Sequence, residues 1–374
     1  NNPAVGAGAW TLISGTGTII SPSSPTSIVN GLSIGPNVFQ WTISNGTCPS
    51  SSDQVVITRD ANPTTANAGV DQTICSSSTS LAGNTPAIGT GVWTLISGTG
   101  SIVTPTSPTS SVTGLSIGAN VFEWTISNGT CPSSSDQVTI NVDQNPTISN
   151  AGLNQTICSS TATFAGNTPT VGAGVWTLIS GTGIIATPSS ASSTVTGLSI
   201  GANVFEWTIS NGTCPSSSDQ VVITRDANPT TANAGADQTI CSSSTSLAGN
   251  APVVGNGIWT LISGPAMISA PTSNTSPVTG MSPGANIFEW TISNGTCPST
   301  SDQVTIYIDA NPSLANAGVD QAICSSTSSM NGNNPAIGNG VWTLISGTGI
   351  ITTPSSSTSA ISGLSVGANV FEWT

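Results

Sequence analysis

The sequence contains no histidine and no lysine, and Arg59 and Arg225 are its only basic residues. General acid–base catalysis relies most often on His, with Glu, Asp, Lys, Tyr and Cys as further candidates. Tyr307 is the single tyrosine, so the inventory argues against an enzyme. Nucleic acid requires Lys and Arg to neutralise its phosphates, and a pI near 4.1 argues against that partner. The absence of lysine also excludes Lys–Asn isopeptide cross-links.

Long apolar runs are missing as well. No stretch approaches the roughly 20 residues that a membrane helix requires, so no membrane insertion is predicted in this segment. No secretory signal is visible, and because the sequence opens in the middle of a repeat we expect the N-terminus to lie outside it. Hydrophobic residues nevertheless make up 36% of the chain and there are ten tryptophans, which predicts packed cores instead of disorder.

The chain repeats itself every 83 residues without an insertion or deletion. A fixed period of this kind is typical of an array in which each unit is one small structural element. Cysteine and tryptophan follow it in four series: Cys75, Cys158, Cys241 and Cys324; Cys48, Cys131, Cys214 and Cys297; Trp10, Trp93, Trp176, Trp259 and Trp342; Trp41, Trp124, Trp207, Trp290 and Trp373.

Pro146 provides a natural end for one unit. The predicted domains are then three complete repeats, 64–146, 147–229 and 230–312, with a partial repeat 1–63 that lacks the first two strands and a partial repeat 313–374 that lacks the last strand. One interpretation is a window on a longer chain. The alternative is a polymerising filament subunit whose terminal strands complete the next subunit by strand complementation.

Strand signals fill each repeat. In 120–127 Phe122, Trp124 and Ile126 alternate with polar or smaller residues, and Val138, Ile140 and Val142 do so in 137–142, which is the pattern of half-buried strands. Further short strands are predicted at 72–75, 80–82, 91–96, 102–103 and 111–113, with an Asn–Gly turn after the sixth. No helical periodicity is present. The predicted fold class is therefore all-β, a linear tandem array of Ig-like antiparallel β-sandwich domains with the tryptophans in the cores.

The eight cysteines predict disulfides in an extracellular compartment, since constant spacing without CxxC pairs or His disfavours zinc. Three pairings are open: Cys48–Cys75 across the linker, Cys75–Cys131 within a repeat, and Cys75–Cys214 between repeats. Ig-like topology places the end of the first strand opposite the last hairpin, which favours Cys75–Cys214 and Cys158–Cys297. A different strand layout permits the within-repeat set, Cys75–Cys131, Cys158–Cys214 and Cys241–Cys297.

Acidic residues recur near the linkers. Asp60, Asn62 and Asp71 gather oxygen atoms at a predicted domain junction, where calcium would rigidify the joint. Solvated turn acids explain the pattern equally well, and no other cofactor is indicated. Asn45–Gly46–Thr47 and its copies match the N-glycosylation sequon, but the hairpin already accounts for Asn–Gly.

The repeat motifs carry a resemblance. An NAGVDQTIC segment at 67–75, a Trp-bearing strand GVWTLISGTG and an NGTC hairpin before the final strand resemble the PKD-like/Ig-like tandem repeats of Bacteroidetes secreted surface proteins, of the flavobacterial gliding-adhesin or extracellular-filament type. The resemblance implies an extracellular or cell-surface location and export by the type IX secretion route. It implies no catalytic residue and no particular ligand.

Three functions follow from these features. The favoured one is a structural stalk or filament segment of a cell-surface adhesin, which holds an adhesive tip away from the cell and whose partners are neighbouring repeats or copies of itself. A multivalent array that binds surface polysaccharide is the alternative, and exposed aromatic residues would favour it. Enzyme activity is the third, and the residue inventory argues against it.

Overall fold

The computed structural model describes residues 1–374 and contains 31 strands and no helix. No helix is therefore available with the length and apolarity needed to cross a membrane. In chain order the strands are, in 1–63, β1 (Ala7–Ser14), β2 (Thr18–Ile19), β3 (Val29–Asn30), β4 (Gly35–Ser44) and β5 (Ser51–Arg59); in 64–146, β6 (Gln72–Ile74), β7 (Ser78–Ser80), β8 (Thr90–Ser97), β9 (Ser101–Ile102), β10 (Ser111–Thr113), β11 (Gly118–Ser127) and β12 (Ser134–Val142).

The same order recurs in the later units. The strands of 147–229 are β13 (Gln155–Ile157), β14 (Ala162–Thr163), β15 (Ala173–Ser180), β16 (Ile184–Ile185), β17 (Thr194–Thr196), β18 (Gly201–Ser210) and β19 (Ser217–Arg225). Those of 230–312 are β20 (Gln238–Ile240), β21 (Thr245–Ser246), β22 (Asn256–Ser263), β23 (Met267–Ile268), β24 (Pro277–Thr279), β25 (Gly284–Asn294) and β26 (Cys297–Ile308). Those of 313–374 are β27 (Thr327–Ser329), β28 (Trp342–Ser346), β29 (Ile350–Ile351), β30 (Ala360–Ser362) and β31 (Val370–Trp373).

Each complete repeat is a two-sheet sandwich. In 64–146 a four-stranded sheet has the order β6-β12-β11-β8 and a three-stranded sheet has the order β7-β10-β9, and the next two repeats copy both. The fold is thus the expected tandem array of Ig-like β-sandwiches. One pairing departs from a fully antiparallel layout, because β6 runs parallel to β12, with Gln72 opposite Ile140 and Ile74 opposite Val142.

The core of each sandwich holds the alternating residues of β11 and β12. Phe122, Trp124 and Ile126 are fully buried, and Trp93 on β8 is 2% exposed, which confirms the predicted core positions. The Trp93 and Trp124 rings lie 5.0 Å apart and tilted. Each indole N–H donates to a backbone carbonyl inside its own repeat, so neither indole leaves a buried donor unpaired.

A buried asparagine connects the start of β11 to the loop before it, to β12 and to the turn after β8. The Nδ2 of Asn120 donates to the carbonyls of Ser116, Gly118 and Ile140, and its Oδ1 accepts from the N–H of Thr99. A buried amide with this many partners fixes the loop before β11 against the following strand. The same position is occupied in every repeat by Asn37, Asn203, Asn286 and Asn369.

The second strand was placed wrongly by the sequence pattern. β7 covers Ser78–Ser80 instead of 80–82. Leu81 is buried, but its N–H donates to the carbonyl of Ser110 after the ladder with β10 has ended. The second strand thus ends before Leu81, whose side chain contributes to the core without belonging to the ladder.

The partial repeats show how the strands depend on each other. Gln321–Ile323 matches the sequence of β6 closely but forms no strand, and no last strand lies beside it. In 1–63, where no counterparts of β6 and β7 are present, Val55, Val56 and Ile57 of β5 are exposed, whereas Val138 and Ile140 of β12 are buried. Pairing of the first strand thus requires the last strand of the same repeat.

Candidate functional site: the joints between repeats

The linker into each repeat runs along that repeat's last strand. The N–H of Ala68 donates to Oδ2 of Asp136 at 2.8 Å, and the N–H of Thr139 donates to Oδ1 of Asp71 at 2.8 Å. Side-chain oxygens of Asp136 and Asp71 therefore accept bonds from backbone amides that lack a partner strand, and Asn154 replaces the second aspartate in 147–229. The linker and β6 together form one extended segment beside β12, and this explains their parallel direction.

The hairpin before the last strand clamps the preceding repeat. At the joint between 64–146 and 147–229, Oδ2 of Asp143 accepts bonds from the N–H of Thr213 at 2.7 Å and from its hydroxyl at 3.0 Å. Asn211 of the same hairpin donates its Nδ2 to the carbonyl of Gln144 at 2.7 Å. Three hydrogen bonds, two of them to a carboxylate, thus connect one repeat to the next.

The clamp is the same at three joints. Thr130 donates twice to Asp60 and Asn128 donates to the Ala61 carbonyl at the joint after 1–63. Thr296 donates twice to Asp226 and Asn294 donates to the Ala227 carbonyl at the joint after 147–229. The distances repeat to within 0.1 Å of those at Asp143. The Asn–Gly–Thr sequence is therefore a contact between repeats as well as a turn.

The glycine of this hairpin makes room for the carboxylate. Gly212 has φ +51°, and a Cβ built there would collide with the Asp143 carboxylate. The equivalent Gly46, in a hairpin that faces no preceding repeat, has φ +55° and no atom within 4 Å of such a Cβ. The turn conformation alone would favour glycine at both positions, but only at the formed joints does a neighbouring aspartate also require it.

Two joints carry a disulfide in addition. Cys75 is bonded to Cys214 with a Cα–Cα distance of 4.9 Å, and Cys158 is bonded to Cys297 with 4.8 Å. Both distances lie in the range that a disulfide prefers. The parallel pairing of β6 with β12 brings Cys75 beside Asp143, at the pole that receives the next hairpin. Of the three pairings considered, this is the one between repeats, and neither the within-repeat pairs nor Cys48–Cys75 forms.

The other four cysteines are free thiols. Cys48, Cys241 and Cys324 are exposed. Cys131 is half-buried at the joint after 1–63, where its Sγ donates to the Asp60 carbonyl at 3.4 Å. Its position is that of Cys214 at the following joint, and a partner 139 residues earlier would fall before residue 1.

The three residues considered for calcium are not brought together. Asp60 is held by Thr130 in the hairpin, whereas Asp71 is held by Thr139 in the middle of β12. The strand between Ser134 and Thr139 alone spans about 17 Å at 3.3 Å per residue, far more than the 2.3–2.6 Å ligand distances of one calcium ion allow. Asn62 is exposed, and no group of three His, Cys, Asp or Glu side chains suited to a metal ion occurs.

Sequence reasoning missed the clamp because its members are far apart in the chain. Asp143 and Thr213 are 70 residues apart and belong to different repeats, so no local motif joins them. The repeat spacing does carry a signal for the clamp, because its aspartates and threonines recur with the same period. These residues are Asp60, Asp143 and Asp226, and Thr130, Thr213 and Thr296.

No family model matches the chain. No curated protein matches it either. Among solved structures, three tandem titin immunoglobulin domains align at 14% identity and a TM-score of 0.43, covering 67% of this chain and 100% of that one. Sidekick-1 immunoglobulin domains 1–5 align at 12% identity and 0.32, covering 98% of both chains. The human desmocollin-1 ectodomain aligns at 11% and 0.29, covering 98% and 91%.

Proposed function

We propose that this chain is a structural segment of an extracellular stalk, in which each 83-residue unit is one domain and the joints hold successive domains in a fixed orientation. The observation that carries the proposal is the identical clamp at three joints, reinforced by disulfides at two of them. A flexible string of binding modules has no need of a carboxylate clamp and a covalent bond at the same joint.

The residue inventory supports a structural role. Only 5% of the residues are charged and no histidine is present, while the recurring aspartates are engaged by backbone amides and threonines. The resemblance of the repeat motifs to Bacteroidetes surface proteins supports export by the type IX route and a place beneath an adhesive tip. Two disulfides between repeats support an oxidising compartment. Neighbouring repeats and further copies of the chain are the proposed partners.

The polysaccharide-binding alternative receives less support. It depends on aromatic rings at the surface, where sugars stack, but the paired tryptophans of the complete repeats lie in the sandwich cores. The exposed apolar residues of β8 and of the equivalent strands in the other repeats, such as Leu95 and Ile96, are aliphatic. They offer no aromatic ring on which a sugar could stack.

Small-angle X-ray scattering of the oxidised protein tests the stalk. A compact 374-residue protein has a radius of gyration of about 21 Å. A rod of repeats each about 35–45 Å long, from strand lengths at 3.3 Å per residue, has a radius of gyration more than twice that value. We expect the rod in the dilute limit of the concentration series. A compact particle, or a broad distribution typical of a flexible chain, would contradict the proposal.

The matched variants Asp143→Ala and Asp53→Ala separate the clamp from general loss of charge. Asp53 occupies the position of Asp136 in 1–63, where no preceding linker is present to bond it. We expect Asp143→Ala to broaden the distance distribution after mild reduction and Asp53→Ala to leave it unchanged.

A further inference from the structure

The cysteines divide the chain into segments of two lengths. From each hairpin cysteine to the next first-strand cysteine there are 27 residue steps, as from Cys214 to Cys241, and the remaining 56 of each 83 lie between Cys158 and Cys214 or their equivalents. The short segment contains a last strand, a linker and a first strand. The long segment contains the other five strands of one sandwich.

Each short segment crosses two repeats without turning back. After Cys214 the chain follows β19 from the hairpin to Asp226, at the far end of 147–229. It then runs along β26 of the next repeat, where the N–H of Ala234 donates to Asp302 of β26 and Asp237 accepts the N–H of Thr305. It ends at Cys241, directly after Ile240, whose carbonyl accepts the N–H of Asp309 at the next joint. Both ends of the segment therefore lie at joints.

The two disulfides connect such segments end to end. We infer that the array contains two covalent tracks that carry tension along it and bypass most of the fold. The first track is 48–75, the Cys75–Cys214 bond and 214–241; the second is 131–158, the Cys158–Cys297 bond and 297–324. The tracks are offset by one repeat, so in each of the three complete repeats one segment of each lies side by side as a parallel strand pair.

The tracks are short enough to limit extension. A segment of 27 residue steps reaches at most about 90–97 Å when fully extended. Two folded repeats of about 35–45 Å each already occupy 70–90 Å. Pulling on a track consequently meets covalent bonds after a small stretch, and unfolding of the 56-residue remainder adds no length between its ends.

The tracks limit how far the array lengthens when a repeat unfolds, and the thermodynamic stability of the repeats alone does not provide such a limit. From Cys48 to Cys241 the backbone has 193 residue steps, whereas the first track has 54 and one disulfide. A sandwich that unfolds under load is thus shielded from further tension and can refold beside its track. The inference depends on the disulfides and not on the proposed surface location. It would therefore still hold if the protein were located elsewhere.

Single-molecule force spectroscopy tests the first track with the chain's own thiols. Maleimide-linked DNA handles are attached to Cys48 and Cys241 in a Cys131→Ser, Cys324→Ser background, since all four thiols are free. For 54 steps and one disulfide the oxidised protein should reach a limit of about 190 Å, and after reduction the 193 steps should reach about 660 Å, roughly 3.5-fold further.

Two further variants distinguish the track from other cross-links. Cys75→Ser with Cys214→Ser breaks the first track without adding a reactive thiol and leaves a shortest path of 166 steps through Cys158–Cys297, so this variant should extend about three-fold further than the parent while still oxidised. Cys158→Ser with Cys297→Ser leaves the first track intact and should stop at the parent's limit. An oxidised parent that reaches about 470 Å, the 137-step length expected for a Cys158–Cys214 bond, would overturn the inference. So would one that reaches its reduced length.

Discussion

At the scale of single residues, the hairpin glycine has two separate roles. Gly46 and Gly212 share a left-handed backbone near φ +50°, and only Gly212 faces a carboxylate from another repeat. Any other L-residue in this conformation is destabilised by roughly 1 kcal/mol or more. The approach of Asp143 to Gly212 adds a steric requirement that applies only where a joint has formed.

Alanine substitution separates these two effects. We expect Gly46→Ala to lower the stability of its hairpin by about 1 kcal/mol without changing any joint. Gly212→Ala should displace Asp143 as well and remove both of its bonds to Thr213. Hydrogen exchange followed by mass spectrometry is the measurement: the Thr213 amide should exchange faster in Gly212→Ala, while Thr296 at the next joint serves as the internal control. Equal protection of Thr213 in both proteins would show that the carboxylate adapts.

At the scale of elements, the turn after the third strand is built around the buried asparagine. Oδ1 of Asn120 accepts a hydrogen bond from the N–H of Thr99, and Oδ1 of Asn203 accepts one from the N–H of Thr182. In 230–312 the equivalent residue is Pro265, which has no N–H, and Oδ1 of Asn286 has no partner although the residue is buried. This repeat therefore carries a local defect that its neighbours lack.

Pro265→Thr should repair the defect. Satisfying a buried acceptor gains about 1–3 kcal/mol, and losing the proline costs about 0.4–1 kcal/mol through the unfolded chain. A net gain near 1 kcal/mol predicts roughly five-fold slower exchange of the most protected β25 amides, with β18 unchanged. Unaltered or faster exchange in β25 would mean that the proline's rigidity outweighs the missing bond.

Much of this architecture was accessible from sequence, for identifiable reasons. Alternation of Phe122, Trp124 and Ile126 predicts both a strand and its buried face because strand side chains alternate with period two. The exact repeat then transfers one unit to all the others. What could not be read was any feature that needs two distant segments: the parallel direction of β6, the end of β7 before Leu81, and the Asp143–Thr213 clamp. The choice between cysteine pairings stayed open because it depended on that same strand direction.

At the scale of the whole molecule, the disulfides close loops of 139 residues that overlap, since Cys158 lies inside the loop closed by Cys75 and Cys214. Unfolding of 147–229 is therefore constrained by both bonds. Closing a loop typically stabilises a protein by about 2–4 kcal/mol, chiefly by restricting the unfolded chain.

Cys75→Ser tests this constraint. We expect it to lower the unfolding free energy of 64–146 and 147–229 by about 2–4 kcal/mol, while 230–312, still joined through Cys158–Cys297, changes less. Urea titration monitored by hydrogen exchange resolves the repeats individually. Asp143 and Thr213 should remain bonded before unfolding begins, because the clamp is present without a disulfide at Asp60. Equal losses in all three repeats would point to a shared effect on the fold.

Because the 83-residue repeat contains no insertion, the gene can gain or lose whole repeats without disturbing the joints. Each cysteine and each clamp residue finds its partner by repeat position, not by identity with one particular copy. Recombination that removes or adds 83 codons within the gene consequently keeps the aspartate–threonine and cysteine–cysteine partners in register at the joints between repeats. The length of the array can change in a single genetic event, and no intermediate with a mismatched joint has to survive.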